Sequence, residues 1–253
     1  MRQQLTASKN VGLARALSKM GFCSRSAAFQ IVREGKVKLR GRVERNPEKP
    51  VRMATDSIEV DGQRVRAAKK IYLMMNKPRG AVTTARDPEQ RETVYDCLKN
   101  SGFREYSRWI APVGRLDKAS EGLLLLTNDS EWAAKILDPR QHLPRTYHVQ
   151  VAANVEAALL DRIRAGIDLP MGETLNVKAA RIVRGGERNT WLEIVLEEGK
   201  NRQIRRILEN LGIEVLRLVR IAIGSLQIGD LAKGQSREVT REEKRALDMA
   251  FPR

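Results

Sequence analysis

The chain has 253 residues, with 47 Lys+Arg against 31 Asp+Glu, a formal net charge of +16 and a pI near 10.3. A hydrophobic share of 42% is enough for a core and excludes a wholly disordered polycation, and no apolar run approaches the roughly 18 residues of a membrane span. Cys23 and Cys97 cannot build a disulfide framework, no Cys/His cluster has zinc spacing, and MRQQLTASKN lacks a signal's hydrophobic stretch, so the expectation is a soluble, cytoplasmic protein with a polyanionic partner and no metal.

The charge is unevenly placed. Residues 1–70 hold 17 basic and 6 acidic side chains, whereas residues 71–253 hold 30 and 25. Nucleic acid explains such an excess through counterion release at phosphates. A membrane surface would require a basic amphipathic helix with bulky apolar contacts, which the segment lacks. Leu13, Ala16 and Leu17 predict a helix over residues 12–19, ending at Gly21. A second begins at Ser24, a good N-cap, and puts Ala27, Ala28, Ile31 and Val32 on one face before stopping at Gly35. Short strands follow at 36–39, 42–44 and 56–60, with turns at Gly41 and at Asp61-Gly62. Arg15, Lys19, Arg25, Arg33, Lys36, Lys38 and Arg40 lie on these elements and, with Ser24, are the candidate RNA contacts.

The helix–turn–helix–strand order, the Ser-Arg opening the second helix, Gly-x-Val at residues 35–37 and Asp-x-Ile-x-Val at residues 56–60 resemble the S-four-type RNA-binding domain. The resemblance covers about residues 11–62. Its departure is Gly41-Arg42, where that family more often has Asn-Gly. The domain implies RNA without naming a reaction.

Residues 67–70 read as a linker. Beyond it, strand patterns fit residues 71–75, 123–127, 146–151, 177–183 and 191–197, and helices fit 131–137, 155–165 and 201–211. A C-terminal helix starts at Thr240, with Glu243 completing a capping box. Residues 84–109 resist assignment and include an exposed loop around Asp87-Pro88-Glu89.

The conspicuous segment is Gly114-Arg115-Leu116-Asp117, followed by Glu121-Gly122-Leu123-Leu124-Leu125-Leu126-Thr127-Asn128-Asp129. An aspartate on a loop feeding a buried strand suits a nucleophile or base, although a turn aspartate capping backbone amides is the commoner role. Together with Lys77-Pro78-Arg79-Gly80, Arg145-Thr146-Tyr147-His148-Val149 and Gly199-Lys200-Asn201-Arg202-Gln203-Ile204-Arg205-Arg206, in that order, it resembles the pseudouridine synthases, and more closely their RsuA/RluB branch acting on ribosomal RNA.

The resemblance implies roles residue by residue. Asp117 matches the catalytic aspartate, which either attacks the ribose or removes a ribose proton. Tyr147, with Val149 and Val151 on its face of a strand, stacks on the target base and assists deprotonation of carbon 5. Arg205 pairs with the aspartate. Arg115 contacts phosphate or helps lever the uridine from its stack, Lys77 shapes the site at the RNA, and Arg202 adds a further RNA contact. No cofactor is implied, because the isomerisation neither oxidises nor adds anything. His142 and His148 read as structural or RNA-facing, and Trp109, Trp132 and Trp191 as core.

The expected fold class is α+β: a helix-rich RNA-binding domain over residues 1–66, a linker over 67–70, and a catalytic domain over 71–253 whose mixed, largely antiparallel sheet is flanked by helices. The expected function is conversion of uridine to pseudouridine in large-subunit ribosomal RNA by a monomer needing no obligate protein partner, on free RNA or an assembly intermediate. A small-subunit enzyme and a non-catalytic ribosome assembly factor are the alternatives.

Overall fold

The computed structural model describes residues 10–85, 87–103, 109–168 and 172–251. They divide into two compact units, the first comprising residues 10–72, 109–111 and 127–132 and the second the remainder.

In the first unit, helices Leu13–Lys19 and Arg25–Arg33 pack through Leu13, Ala14, Ala16, Leu17, Ala28 and Val32, all shielded from solvent. Each fully buried Leu or Val contributes about 1.5–3 kcal/mol. Ser24 caps the second helix, its hydroxyl accepting from the Ala27 amide at 3.1 Å. Ala27 itself faces solvent. The buried stripe runs instead through Ala28 and Val32, with Phe29 and Ile31 on its flanks.

Four short strands form an antiparallel sheet in the order Arg42–Val43, Val37–Leu39, Ile58–Val60, Gln63–Arg64. Both of its hairpin turns use two consecutive residues at positive φ: Arg40 and Gly41 at 52° and 80°, Asp61 and Gly62 at 49° and 79°. That geometry matches the strand twist and makes the second position a glycine. The first turn is therefore Arg40-Gly41, one residue earlier than the expected Gly41-Arg42. Arg40 is held in its left-handed conformation by a two-pronged bond to Asp56, at 2.8 and 2.7 Å.

The second unit is built on a nine-stranded sheet. Its main path runs Ala179–Arg184, Thr190–Leu196, Arg145–Val151, Val215–Ile223, Glu121–Thr127, Tyr72–Lys77, Ser236–Glu238. The first four strands pair antiparallel; Val215–Ile223 then lies parallel to Glu121–Thr127, with Val219 opposite Glu121 and Arg220 opposite Gly122. Every residue from Glu121 to Thr127 is buried. Gly122 is obligatory there: its φ is 101°, and a Cβ would fall 2.2 Å from the Arg220 carbonyl oxygen. Helices Ala157–Ala165 and Gln203–Asn210 cover the sheet through Leu160, Ile163, Ile204 and Leu208, against Val149, Val151, Leu192 and Ile194.

Three of the elements without a counterpart in the sequence reading shape the second unit. These are the nine-residue strand Val215–Ile223, the strand Ser236–Glu238, and a helix Val94–Asn100 capped reciprocally by Thr93 and Asp96. The helix expected over 201–211 spans Gln203–Asn210, because Arg202 takes φ 49° and turns the chain into it. The C-terminal helix Arg241–Asp248 carries the expected Thr240/Glu243 capping box.

Candidate active site

The segment from Leu116 to Ser120 is held by its main chain. Thr83 Oγ1 donates to Leu116 O at 2.8 Å, the Gly80 amide to Lys118 O at 2.8 Å, and Arg205 Nη2 to Ala119 O at 3.1 Å. Lys77 Nζ donates to Asp117 O at 3.1 Å and Ser120 O at 2.9 Å, and also to Pro78 O at 3.1 Å. Five consecutive carbonyls are thereby engaged. Just beyond them, Glu121 is buried and bonded to Arg217 at 3.1 Å and Lys233 at 2.8 Å. Burial alone would raise its pKa, but these two cations hold the carboxyl below the usual range.

Lys77 is 0% exposed, so it cannot meet RNA phosphate, and its place among the RNA contacts is corrected. Its ammonium, pushed down to about 8 by burial, is spent on the loop. Its burial is not legible from its neighbours in the chain, because a lysine beside a Pro-x-Gly turn ordinarily faces water.

Asp117 is half-buried, and among the described residues none donates a hydrogen bond to its carboxylate. It lines a cavity of about 610 Å³ together with Arg115, Leu116, Tyr147, Arg202 and Arg220. The Arg145–Val151 strand brings Tyr147 to this wall while Val149 and Val151, on the same face, enter the core. Arg145, 9% exposed, braces three chain segments by donating to Ile136 O at 3.0 Å, Leu143 O at 3.3 Å and Glu197 O at 3.4 Å.

Arg205 differs from expectation in its partner. Its guanidinium meets the Ala119 carbonyl rather than the Asp117 carboxylate, and its Nε is buried without a partner. Burial and the neighbouring Arg202 and Arg79 lower its pKa, while the charge of Asp117 acts the other way, so the aspartate lies within its field. Arg205 thus fixes the backbone two residues beyond Asp117.

Arg115 and Arg202 are exposed on the cavity lining. In the first unit Arg15, Arg25, Arg33, Lys36, Lys38 and Arg40 are exposed; Arg33 lies over the Phe29 ring at 4.7 Å, and Lys36 pairs with Glu34 at 2.7 Å. Lys19 is committed to Glu131 at 2.7 Å, and the Ser24 hydroxyl to its helix. His148 lies 3.3 Å from Glu193, and Trp132 is core, edge-on to Tyr72. Among the described residues no His/Cys/Asp/Glu group could hold a metal, and no helix is long and apolar enough to cross a membrane. Sequence reasoning missed Arg220, a buried arginine on the unforeseen strand.

The sequence pattern of the RNA pseudouridylate synthase family matches residues 71–210, and that of the S4 domain matches residues 11–58. An uncharacterized RNA pseudouridine synthase of Aquifex aeolicus (strain VF5) is 39% identical over 234 residues, 92% of either chain. Ribosomal large subunit pseudouridine synthase B of Bacillus subtilis (strain 168) is 36% identical over 93% of this chain and 94% of its own. A crystal structure of a pseudouridylate synthase superposes with a TM-score of 0.62 at 25% identity, covering 94% of this chain and 99% of that one. With an aspartate and a tyrosine lining one cavity, and an S4 pattern over residues 11–58, this chain belongs to the RNA pseudouridylate synthase family.

Proposed function

We propose that the protein converts one uridine of large-subunit ribosomal RNA to pseudouridine, with Asp117 as the catalytic carboxylate and the S4 domain supplying affinity and address. The observation that carries the reading is the Asp117 carboxylate itself. It is half-buried on a cavity wall, with no hydrogen bond from the described residues, on a loop whose main chain is fixed at every carbonyl from 116 to 120. A turn aspartate with a merely structural role would be spending its oxygens on nearby amides. This one keeps both available, at a fixed place, for a ribose carbon or a ribose proton.

Tyr147 presents its ring on the same cavity, where an unstacked base is held by its face. Arg205 positions the loop and contributes positive charge beside the carboxylate. Arg115 and Arg202 meet RNA at the rim, and Arg15, Arg25, Arg33 and Lys38 meet phosphates from the first unit. The large-subunit target is supported by the relative from Bacillus subtilis, whose name states that substrate.

The test is tritium release from ribosomal RNA labelled at uridine carbon 5, using each subunit's RNA separately, free and as an assembly intermediate, from cells lacking the gene. Wild type is expected to release label from large-subunit RNA, and Asp117→Asn to release at least about 1,000-fold less while binding RNA within about twofold. Release from small-subunit RNA alone would move the target. Release by Asp117→Asn near the wild-type rate would remove Asp117 from the chemistry.

A further inference from the structure

Among the described residues three cations are buried in the second unit around the Asp117 loop and cavity: Lys77 at 0% exposure, Arg220 at 5% and Arg145 at 9%. Two of them have no buried nitrogen left without a partner among the described residues. Lys77 meets three backbone carbonyls, and Arg145 meets three more. Arg220 is different. Its Nε donates to Leu123 O at 2.7 Å, while Nη2 is sealed from solvent with no partner.

No carboxylate is in ion-pair contact with Arg220 among the described residues, and the charges that act on it include Lys77 and Arg145, both of its own sign. A lysine so placed could shed its proton, but a guanidinium cannot. The fold therefore keeps a permanent, under-bonded positive charge at a site where burial makes such a charge costly.

Its position says what would complete it. Arg220 stands opposite Gly122 on the strand leaving the Asp117 loop and opposite Tyr147 on the other neighbouring strand, and it lines the same cavity as both Asp117 and Tyr147. A pyrimidine held in this cavity against the Tyr147 ring would share it with both Asp117 and Arg220. Uracil offers two hydrogen-bond acceptors, O2 and O4. Cytosine replaces one with an amino group, which would set donor against donor.

We propose that Arg220 is a catalytic residue, whose guanidinium binds a carbonyl oxygen of the target uracil and stabilises the negative charge that the base acquires when it leaves the sugar. When the C1′–N1 bond breaks, its electron pair departs with the base as an anion shared between N1, O2 and O4. Bonding C1′ to C5 uses that electron density, the proton on C5 is lost, and N1 takes up a proton, so nothing is gained or lost overall. A fixed cation at a carbonyl oxygen strengthens its interaction as this charge grows and lowers the barrier to bond cleavage. The inference rests on the uridine-isomerising reading above and adds to it the group that receives the leaving electrons.

The experiment compares Arg220→Met and Arg220→Lys with wild type on the same RNA fragment carrying either uridine or 5-fluorouridine at the target. Single-turnover loss of the starting nucleoside is followed by digestion and chromatography. Fluorine makes the base a better leaving group, so it substitutes for part of what Arg220 provides. Arg220→Met is expected to slow uridine conversion by about 100- to 1,000-fold, but 5-fluorouridine conversion by less than about 10-fold, with RNA affinity changed by less than about threefold. Arg220→Lys, keeping the charge on a different arm, is expected to fall between, and thermal unfolding should show both variants folded. Equal losses on the two bases, or a loss that appears as weaker RNA binding, would overturn the proposal and indicate a phosphate or packing contact. If Arg220→Met does not fold, the same ratio measured with Arg220→Lys decides. A wild-type protein that converts neither RNA would overturn the functional reading itself, whereas an active wild type with equal variant losses would overturn only the role of Arg220.

Discussion

The two units use the same residue types in opposite ways. In the first, basic side chains ring a small core and stand in water, where their attraction for phosphate is long-ranged, screened by salt and indifferent to ångström-level placement. In the second, Lys77, Arg145 and Arg220 are withdrawn from water, and each acts on one or a few oxygen atoms within about 3 Å. The exposed set can lose a member and bind less tightly. The buried set defines where a carboxylate, a wall and a cavity stand relative to one another. Net charge alone makes these populations look alike; their dielectric surroundings separate address from chemistry.

That contrast can be broken at its strongest point first. Lys77→Met removes the donor to three buried carbonyls and is expected to cost about 3 kcal/mol in denaturant unfolding, together with a larger loss of turnover than of RNA affinity. Stability and turnover near wild type would show that the lysine is as replaceable as a surface one. Gly122→Ala comes next. The close approach of the Arg220 carbonyl and the positive φ together predict a loss of about 2 kcal/mol, read as a lower unfolding midpoint with unchanged slope.

On the exposed side, Arg15→Ala, Arg25→Ala and Lys38→Ala combined should weaken RNA binding about 10-fold near 0.1 M salt. The slope of log K against log salt should become shallower by about 2–3, and the melting temperature should be unmoved. An unmoved slope would take these side chains off the RNA. The smallest effect sharpens the contrast through pH. Burial lowers the Lys77 pKa from 10.5 to about 8, so between those values the unfolded chain binds a proton that the folded chain does not. Stability from this group therefore rises with pH, and wild type should gain about 1 kcal/mol on Lys77→Met between pH 8 and 9. The exposed triple variant should show no such divergence from wild type.

Much of this was legible in the sequence, for identifiable reasons. The loop carrying Asp117 is flanked by a glycine and a run of leucines, and Tyr147 sits on a strand with clean alternation, so both stand out by pattern. The strand Val215–Ile223 does not, because Arg217 and Arg220 interrupt its apolar run where a buried strand should be uniformly hydrophobic. Arg217 is accommodated by Glu121, a partner 96 residues away, and Arg220 by a cavity; neither can be inferred from neighbours in the chain. Lys77 was misplaced for a related reason. A lysine that finds three carbonyls inside a fold looks, in one dimension, like any lysine in a turn. The Arg40-Gly41 turn was displaced by one residue because an arginine at positive φ is uncommon, and the Asp56 carboxylate that restrains it lies 16 residues downstream.

Among the described residues the Asp117 loop is gripped by its main chain: the bonds from Thr83, Lys77, Gly80 and Arg205 end on backbone carbonyls, and the Leu116 amide adds one to Thr83 Oγ1 at 3.4 Å. Such a grip does not read side chains. Lys118 and Ala119, both exposed on the loop, are therefore released from any duty in holding it. Substitutions at these two positions can follow the contour of a different RNA while the carboxylate beside them stays where it is. Descendants of one such enzyme could then change their target through mutations a residue or two from the reacting atoms, without first having to rebuild the loop.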